Sequence, residues 1–180
     1  ATEVPLAEGG LDLAIVIDAS AATDSASLAL ARAATGALLA HLGADDRVTV
    51  WAGADTLRPV TPRSGALTAV DAALRAEVGA ALARVEPGGA TDLGKMLGDA
   101  AMAIDPARRG AVVYVGDGRP TVGELGLEGL RQRLAKRARP VRVYALAVGL
   151  GAELGILGGL ARGGFAARVD YLYPTLDAAT

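Results

Sequence analysis

Leu11 to Ile17 is a near-continuous apolar run rich in β-branched residues, and such a run fits a strand covered on both faces. That requirement demands a layer of helices above the strand and another below it. The chain supplies them by alternation. Thr23 to Leu42 reads as a helix, with Asp24 or Thr23 as its cap, Leu28, Leu30, Leu38 and Leu39 on its apolar side, and Gly43 at its end. Arg47 to Ala52 alternates as a strand, and Thr56 to Val60 follows so closely that the two form a hairpin, hence an antiparallel edge strand. Ser64 to Val85 is expected to be helical, in one piece or two, with Ser64 as cap, until Pro87-Gly88-Gly89 breaks it. Thr91 to Ile104 is a further helix closed by Asp105-Pro106, and Ala111 to Val115 a strand. Val122 to Arg139 is a helix facing the sheet through Leu125, Leu130 and Leu134 and stopped by Pro140. Val141 to Val148, Ala152 to Ala161 and Ala166 to Val169 then read as strand, helix and short last strand.

Strands alternating with helices pair in parallel through right-handed crossovers. The expected fold is therefore α/β and Rossmann-like: a doubly wound, mostly parallel six-stranded sheet with one antiparallel edge strand and helices on both faces. With 180 residues, 52% of them hydrophobic, one domain spanning residues 1–180 is expected. The start at Ala1-Thr2-Glu3, without Met or a signal-like segment, suggests a part of a larger protein. Aromatic residues make up only 3%, so Ala, Val and Leu must fill the core, with Trp51 in it or anchoring an edge.

A net charge of −2 argues against nucleic acid as a partner, because phosphate backbones demand a strongly basic face. The one basic cluster, Arg131 to Arg142 with Lys136, reads as the solvated face of a helix. Without cysteine there is no disulfide, thiolate metal site or thiol nucleophile, and either redox compartment fits. The longest apolar stretches fall well short of the roughly 18 residues a membrane-spanning helix needs, so no membrane insertion is expected.

In doubly wound sheets ligands bind beyond the carboxyl ends of the strands, near the switch in strand order. Three segments placed there carry oxygen ligands: Asp18-Ala19-Ser20, Thr91-Asp92 and Asp117-Gly118. Hard divalent cations such as Mg²⁺ take such carboxylate and hydroxyl oxygens in a near-octahedral shell. The competing structural reading makes Ser20 and Thr91 caps or turn formers, and has Asp18 and Asp117 satisfy loop amides with no ion.

The run Ile15-Val16-Ile17-Asp18-Ala19-Ser20, the loop Gly88 to Gly94 and the stretch Val113 to Thr121 resemble, in order and separation, the three loops of a von Willebrand factor type A domain. The resemblance covers nearly the whole chain. Within the family it is nearest the bacterial type that accompanies a vault/inter-α-trypsin domain. It implies a metal-ion-dependent adhesion site, in which a D-x-S-x-S loop, a Thr and a second Asp hold the metal. Carried over, the ligands are Asp18, Ser20, Thr91 and Asp117, holding Mg²⁺ (or Mn²⁺ or Ca²⁺). The fifth position falls on Ala22, which offers no side-chain oxygen; water can replace one hydroxyl, at a cost in affinity. Asp92 is expected to orient its loop. By the same resemblance the chain is an adhesion-type protein–protein interaction module rather than an enzyme. Its partner presents an acidic side chain to complete the metal shell, and no small-molecule substrate is expected.

Other motifs compete. Gly89 to Lys95 matches G-x-x-x-x-G-K, but Met96 replaces the Mg²⁺-holding hydroxyl, Asp92 repels phosphate and a helix precedes the loop. Gly149, Gly151 and Gly155, followed by a helix, a strand and Asp170, offer a dinucleotide-binding alternative, against which Glu153 and the short remaining chain count. A Mg²⁺-dependent phosphoryl-transfer enzyme using Asp18 and Asp117 is the enzymatic alternative, although no second acid or Lys adjoins Asp18. The only histidine, His41, lies at the end of a predicted helix and leaves a Ser/His/Asp triad without a candidate base.

Overall fold

The computed structural model describes residues 9–136, 141–149, 151–162 and 169–171. The order is β1 (Leu11–Asp18), α1 (Ser25–His41), β2 (Arg47–Gly53), β3 (Leu57–Pro59), β4 (Thr68–Ala69), α2 (Ala72–Leu82), α3 (Leu93–Ala103), β5 (Arg109–Gly116), α4 (Leu127–Lys136), β6 (Arg142–Ala147), α5 (Leu154–Arg162) and β7 (Val169–Tyr171). The strands form one mixed sheet in the order β3-β2-β1-β5-β6-β7. From β1 the chain moves outward to β2, then returns to the other side of β1 as β5, and both pairings with β1 are parallel. The switch in strand order therefore lies between the carboxyl ends of β1 and β5.

The apolar run of β1 splits by parity, as a pleated strand must. Leu13, Ile15 and Ile17 pack with Leu28, Ala31 and Leu39 of α1 and Leu74, Val78 and Leu82 of α2. Ala14 and Val16 face the other layer, where α3 supplies Leu93, Met96, Leu97 and Ala100, α4 supplies Leu130 and Leu134, and α5 supplies Leu157 and Leu160. Trp51 is buried in that second layer. Helices thus cover both faces, which is the doubly wound arrangement the alternation predicts.

Beyond the six expected strands, a short seventh, β4, pairs antiparallel with the start of β2, while β3 pairs antiparallel with its end. Two short strands thereby share the outer edge of β2, which would otherwise present a row of open backbone groups. This edge corrects the expected helix at Ser64. Ser64 lies in a single 3₁₀ turn, Arg63–Gly65, where its buried hydroxyl bonds the carbonyls of Val50 and Thr61 at 3.1 Å each. The helix begins only at Ala72, capped by the Asp71 carboxylate, which accepts from the Leu74 amide. Likewise Asp24, not Thr23, caps α1 by accepting from the Ser27 amide at 2.6 Å.

The fourth helix also starts later than its apolar pattern suggests. Val122 is drawn into the preceding loop by donating its amide to Thr91 O at 3.2 Å. Gly123 follows with φ +73°, where any Cβ would collide with Asp92. Leu125 is accordingly exposed (59%) rather than facing the sheet, whereas Leu130 and Leu134 are buried. The expected helix end at Arg139 and Pro140, and residues 166–168 of the expected last strand, lie outside the described residues. Among the described residues no helix is long and apolar enough to cross a membrane.

At the amino edge of the sheet, Asp12 is completely buried and receives Arg47 (2.9 and 2.7 Å) and Arg108 (2.9 Å). Arg47 also reaches Asp105 at 2.9 Å, so one cluster ties β1, β2 and the approach to β5 together. Burial pushes the Asp12 carboxyl up, but the hydrogen bonds of Arg47 and Arg108 and the charge of Arg47 outweigh it and hold it below its ordinary 3.8. Replacing Asp12 with Ala is expected to cost about 3 kcal/mol in urea unfolding, through lost charged hydrogen bonds to partly solvated arginines. Because the folded value is depressed, Asp12's contribution is present above the unfolded carboxylate range and disappears as pH falls through the folded value. The stability gap between wild type and Asp12→Ala should therefore shrink below pH 3.8.

Candidate metal centre at the carboxyl edge

Asp18 ends β1, 1% exposed, and its carboxylate accepts from three neutral donors. One oxygen, Oδ1, accepts from the Ser20 amide at 2.9 Å and the Thr23 hydroxyl at 3.2 Å. The other, Oδ2, accepts from the Tyr114 hydroxyl at 2.6 Å. Tyr114 sits on the neighbouring strand β5 opposite Val16 and is fully buried. Burial first, and then the Asp18 charge, push its phenol well above its ordinary value, so it remains a neutral donor. The same phenol oxygen accepts from the Gly118 amide at 3.1 Å, which ties the end of β1 to the loop after β5. Gly116 makes this possible, since a Cβ there would collide with both Asp18 and Tyr114.

Backbone hydrogen bonds stitch the loops together. The Ala21 amide donates to Gly89 O at 2.9 Å and the Gly88 amide to Ala19 O at 2.8 Å, joining the loops after β1 and α2. The Thr91 amide donates to Thr121 Oγ1 at 2.8 Å, while Thr91 O accepts from the amides of Thr121 and Val122, joining the loops before α3 and α4. The Glu153 amide donates to Asp117 O at 2.7 Å, which docks the start of α5. Asp92 is consumed structurally: it caps α3 by accepting from the Lys95 amide at 2.9 Å and pairs with Arg133 at 3.2 Å. That agrees with a loop-orienting role.

Three of the four expected ligands keep oxygen chemistry in reserve. Ser20 is buried, and its hydroxyl lies 3.4 Å from Thr23 Oγ1. Thr91 is 1% exposed and is held by its backbone; its hydroxyl has no hydrogen-bond partner among the described residues. Asp117 is half-buried and accepts from the Arg119 amide at 2.9 Å. Its carboxyl is held above the ordinary 3.8, mainly by burial and further by the charges of Asp18 and Glu153, against the pull of Arg119. Asp18, Thr23, Asp24, Asp117 and Arg119 line a common cavity of about 270 Å³, together with Gly149. Ser20 and Thr91 do not line it, and Ala22 lies at its rim, exposed.

The donor set fits a hard divalent cation: two carboxylates, buried hydroxyls and no nitrogen or sulfur ligand. Among the described residues no group of three or more His, Cys, Asp and Glu stands ready to hold a metal. Any cation here would rely on hydroxyls and water beside the two carboxylates.

The rival motifs resolve into structure. Lys95 pairs with Asp99 at 3.0 Å along α3, and Met96 is core. The glycine turn after β6 does lead into α5 and β7, but the first amides there are taken by Gly149 O, Asp117 O and Ala152 O rather than left for a phosphate. His41 is exposed in the last turn of α1. The basic cluster is not a merely solvated face: Arg131 donates to Gly159 O at 2.8 Å, and Arg133 joins Asp92 and Glu124. Sequence reasoning missed Tyr114, which reads as an ordinary strand residue, and took Thr23 only as a possible cap.

An open α/β domain that gathers acid and hydroxyl loops at its topological switch belongs to a small class of architectures. The particular fold here is that of von Willebrand factor type A. The structure is similar to von Willebrand factor type A from Catenulispora acidiphila (TM-score 0.79, 22% identity), over 92% of this chain and 39% of that one. It is similar to an aerotolerance-related membrane protein from Bacteroides fragilis (TM-score 0.66, 17% identity), over 89% and 92% of the two chains. It also resembles proximal thread matrix protein 1 from the mussel byssus, with its zinc-occupied MIDAS motif (TM-score 0.61, 20% identity), over 88% and 41%. The chain thus spans about two fifths of the first and third of these proteins. No family model and no curated protein matches it.

Tyr114→Phe removes one buried donor to Asp18 and strands the Gly118 amide. The expected loss is about 2 kcal/mol in denaturant unfolding; a variant as stable as the wild type would contradict the role given to this bond.

Proposed function

We propose that this chain is an adhesion-type protein-binding module. In this reading Asp18, Ser20, Thr91 and Asp117 hold Mg²⁺, Mn²⁺ or Ca²⁺ and present it to an acidic side chain of a partner protein. One observation carries the reading: Asp18 is buried without an ion pair among the described residues, and it shares a cavity with Asp117. Asp12, the other buried acid of β1, has two arginines. A divalent cation would neutralise the two carboxylates that line one cavity at the switch point. It would also relieve the repulsion and burial that raise Asp117's proton affinity.

Such a site has two protein charges and a few hydroxyls. Mg²⁺ gives up its waters reluctantly, so several positions stay with water and remain open to an incoming carboxylate. The same poverty of charge would make binding of the ion weak when no partner is present. The mussel byssus protein, with zinc in its MIDAS motif, supports a divalent ion in this fold.

Phosphoryl transfer through Asp18 and Asp117 finds less support. Among the described residues, the cavity that Asp18 and Asp117 share is lined by neither lysine nor histidine to serve a phosphoryl group or its leaving oxygen.

The test is calorimetric titration of the chain with Mg²⁺, Mn²⁺ and Ca²⁺, repeated on Asp117→Ala. A saturable heat is expected in the wild type for at least one ion, weakened about tenfold or more in the variant. A wild type silent toward all three ions would remove the metal from the reading. Release of phosphate from a generic phosphoester with Mg²⁺, abolished in Asp18→Asn, would replace the reading with the enzymatic one.

A further inference from the structure

Ala22 leaves one hydroxyl position of the adhesion-site pattern unfilled, yet a hydroxyl arrives one residue later. The Thr23 amide donates to Ser20 O at 3.0 Å, a tight turn that folds Thr23 back over Ser20. Its Oγ1 then lies 3.2 Å from Asp18 Oδ1 and 3.4 Å from Ser20 Oγ. The next acid, Asp24, also lines the cavity, but one of its carboxylate oxygens caps α1 by accepting from the Ser27 amide.

These separations are those of neighbouring ligands around one ion. In a regular octahedral shell adjacent oxygens stand √2 times the metal–oxygen distance apart, about 3.0 Å for Mg²⁺ and about 3.4 Å for Ca²⁺. The distances from Thr23 to Asp18 and Ser20 fall between the two. Thr23 also lines the cavity that Asp18 and Asp117 line. A threonine hydroxyl has one proton and two lone pairs. Donating the proton to Asp18 and accepting from the Ser20 hydroxyl leaves one lone pair free, so a cation can be received without breaking either hydrogen bond.

We propose that the Thr23 hydroxyl supplies the ligand that Ala22 lacks, which makes the donor set Asp18, Ser20, Thr23, Thr91 and Asp117; this rests on the divalent-cation reading above. The pattern has shifted by one residue, and the turn restores the oxygen to its neighbours. A threonine that merely braces the turn would make the same hydrogen bonds and contribute nothing to the ion.

Titration of the chain with Mn²⁺, followed by calorimetry, separates the two. Thr23→Val is expected to weaken Mn²⁺ binding about tenfold or more, and Thr23→Ser to stay within about threefold of the wild type. Ala22→Ser in the wild-type background is expected to change affinity by less than about twofold, because the position is already filled, and in the Thr23→Val background to restore most of the loss. Thr23→Val that binds as the wild type does, or Ala22→Ser that alone tightens binding about tenfold, overturns the proposal. Urea unfolding in EDTA accompanies each variant. Should Thr23→Val fail to fold, Ala22→Ser at its exposed position decides the matter. A wild type that binds none of the three ions overturns the underlying reading, and this inference with it. A wild type that binds, beside an equally competent Thr23→Val, overturns this inference alone.

Discussion

A strand buried on both faces can place charged side chains only near its ends, and β1 carries an aspartate near each. Asp12 and Asp18 are both inaccessible, and each must be compensated inside a low-dielectric layer. The compensation differs in kind. At the amino edge two arginines supply full positive charge, and Asp12 becomes a clasp between β1, β2 and the entry to β5. At the carboxyl edge Asp18 receives one amide and two hydroxyls, all neutral. One acid is closed electrostatically and the other is only solvated by the protein. That difference makes one end of the strand structural and keeps the other available to a cation.

The loops that surround Asp18 are held mainly by main-chain hydrogen bonds, which leaves side chains free for chemistry. Thr91 is fixed by its amide and carbonyl, and its hydroxyl makes no hydrogen bond among the described residues. Asp92 beside it has the opposite assignment: helix cap and Arg133 partner. Tyr114 completes the scheme from the sheet. Burial and the adjacent carboxylate push its phenol so far from ionisation that it stays a neutral donor to Asp18, whose charge is oriented without being cancelled. An arginine or lysine in that place would have neutralised Asp18 and closed this end of the strand as Asp12's end is closed.

What the sequence revealed follows the same physics. The strands β1, β5 and β6 were legible because double burial leaves continuous apolar runs, and the loops at their ends because carboxylates and hydroxyls there have few structural excuses. The start of α2 was misread because Ser64 has the chemistry of a helix cap, and only the pairing of Thr68–Ala69 with β2 shows that the chain still belongs to the sheet edge there. Leu125 fitted a helical stripe, but Val122 and Gly123 had already been claimed by the loop around Thr91. Arg131 and Arg133 looked like solvated charge, and no local pattern could show that they reach Gly159 and Asp92. Tyr114 was invisible as a site residue because a tyrosine in a strand is ordinary until the partner of its hydroxyl is known.

If Thr23 supplies the oxygen that Ala22 lacks, a pattern written in sequence spacing is stricter than the site it describes. Within a strand, a shift of one residue moves a side chain to the opposite face of the sheet, and Asp18 has no such latitude. Beyond Asp18 the backbone leaves the sheet and is governed by a turn whose closing bond runs from the Thr23 amide to Ser20 O. A turn can deliver either of two successive side chains to nearly the same place, since nothing there enforces alternation. The carboxylates at the strand ends are therefore the rigid part of the centre. The hydroxyls contributed by the turn are its adjustable part, and there the spacing pattern can fail while the oxygen remains.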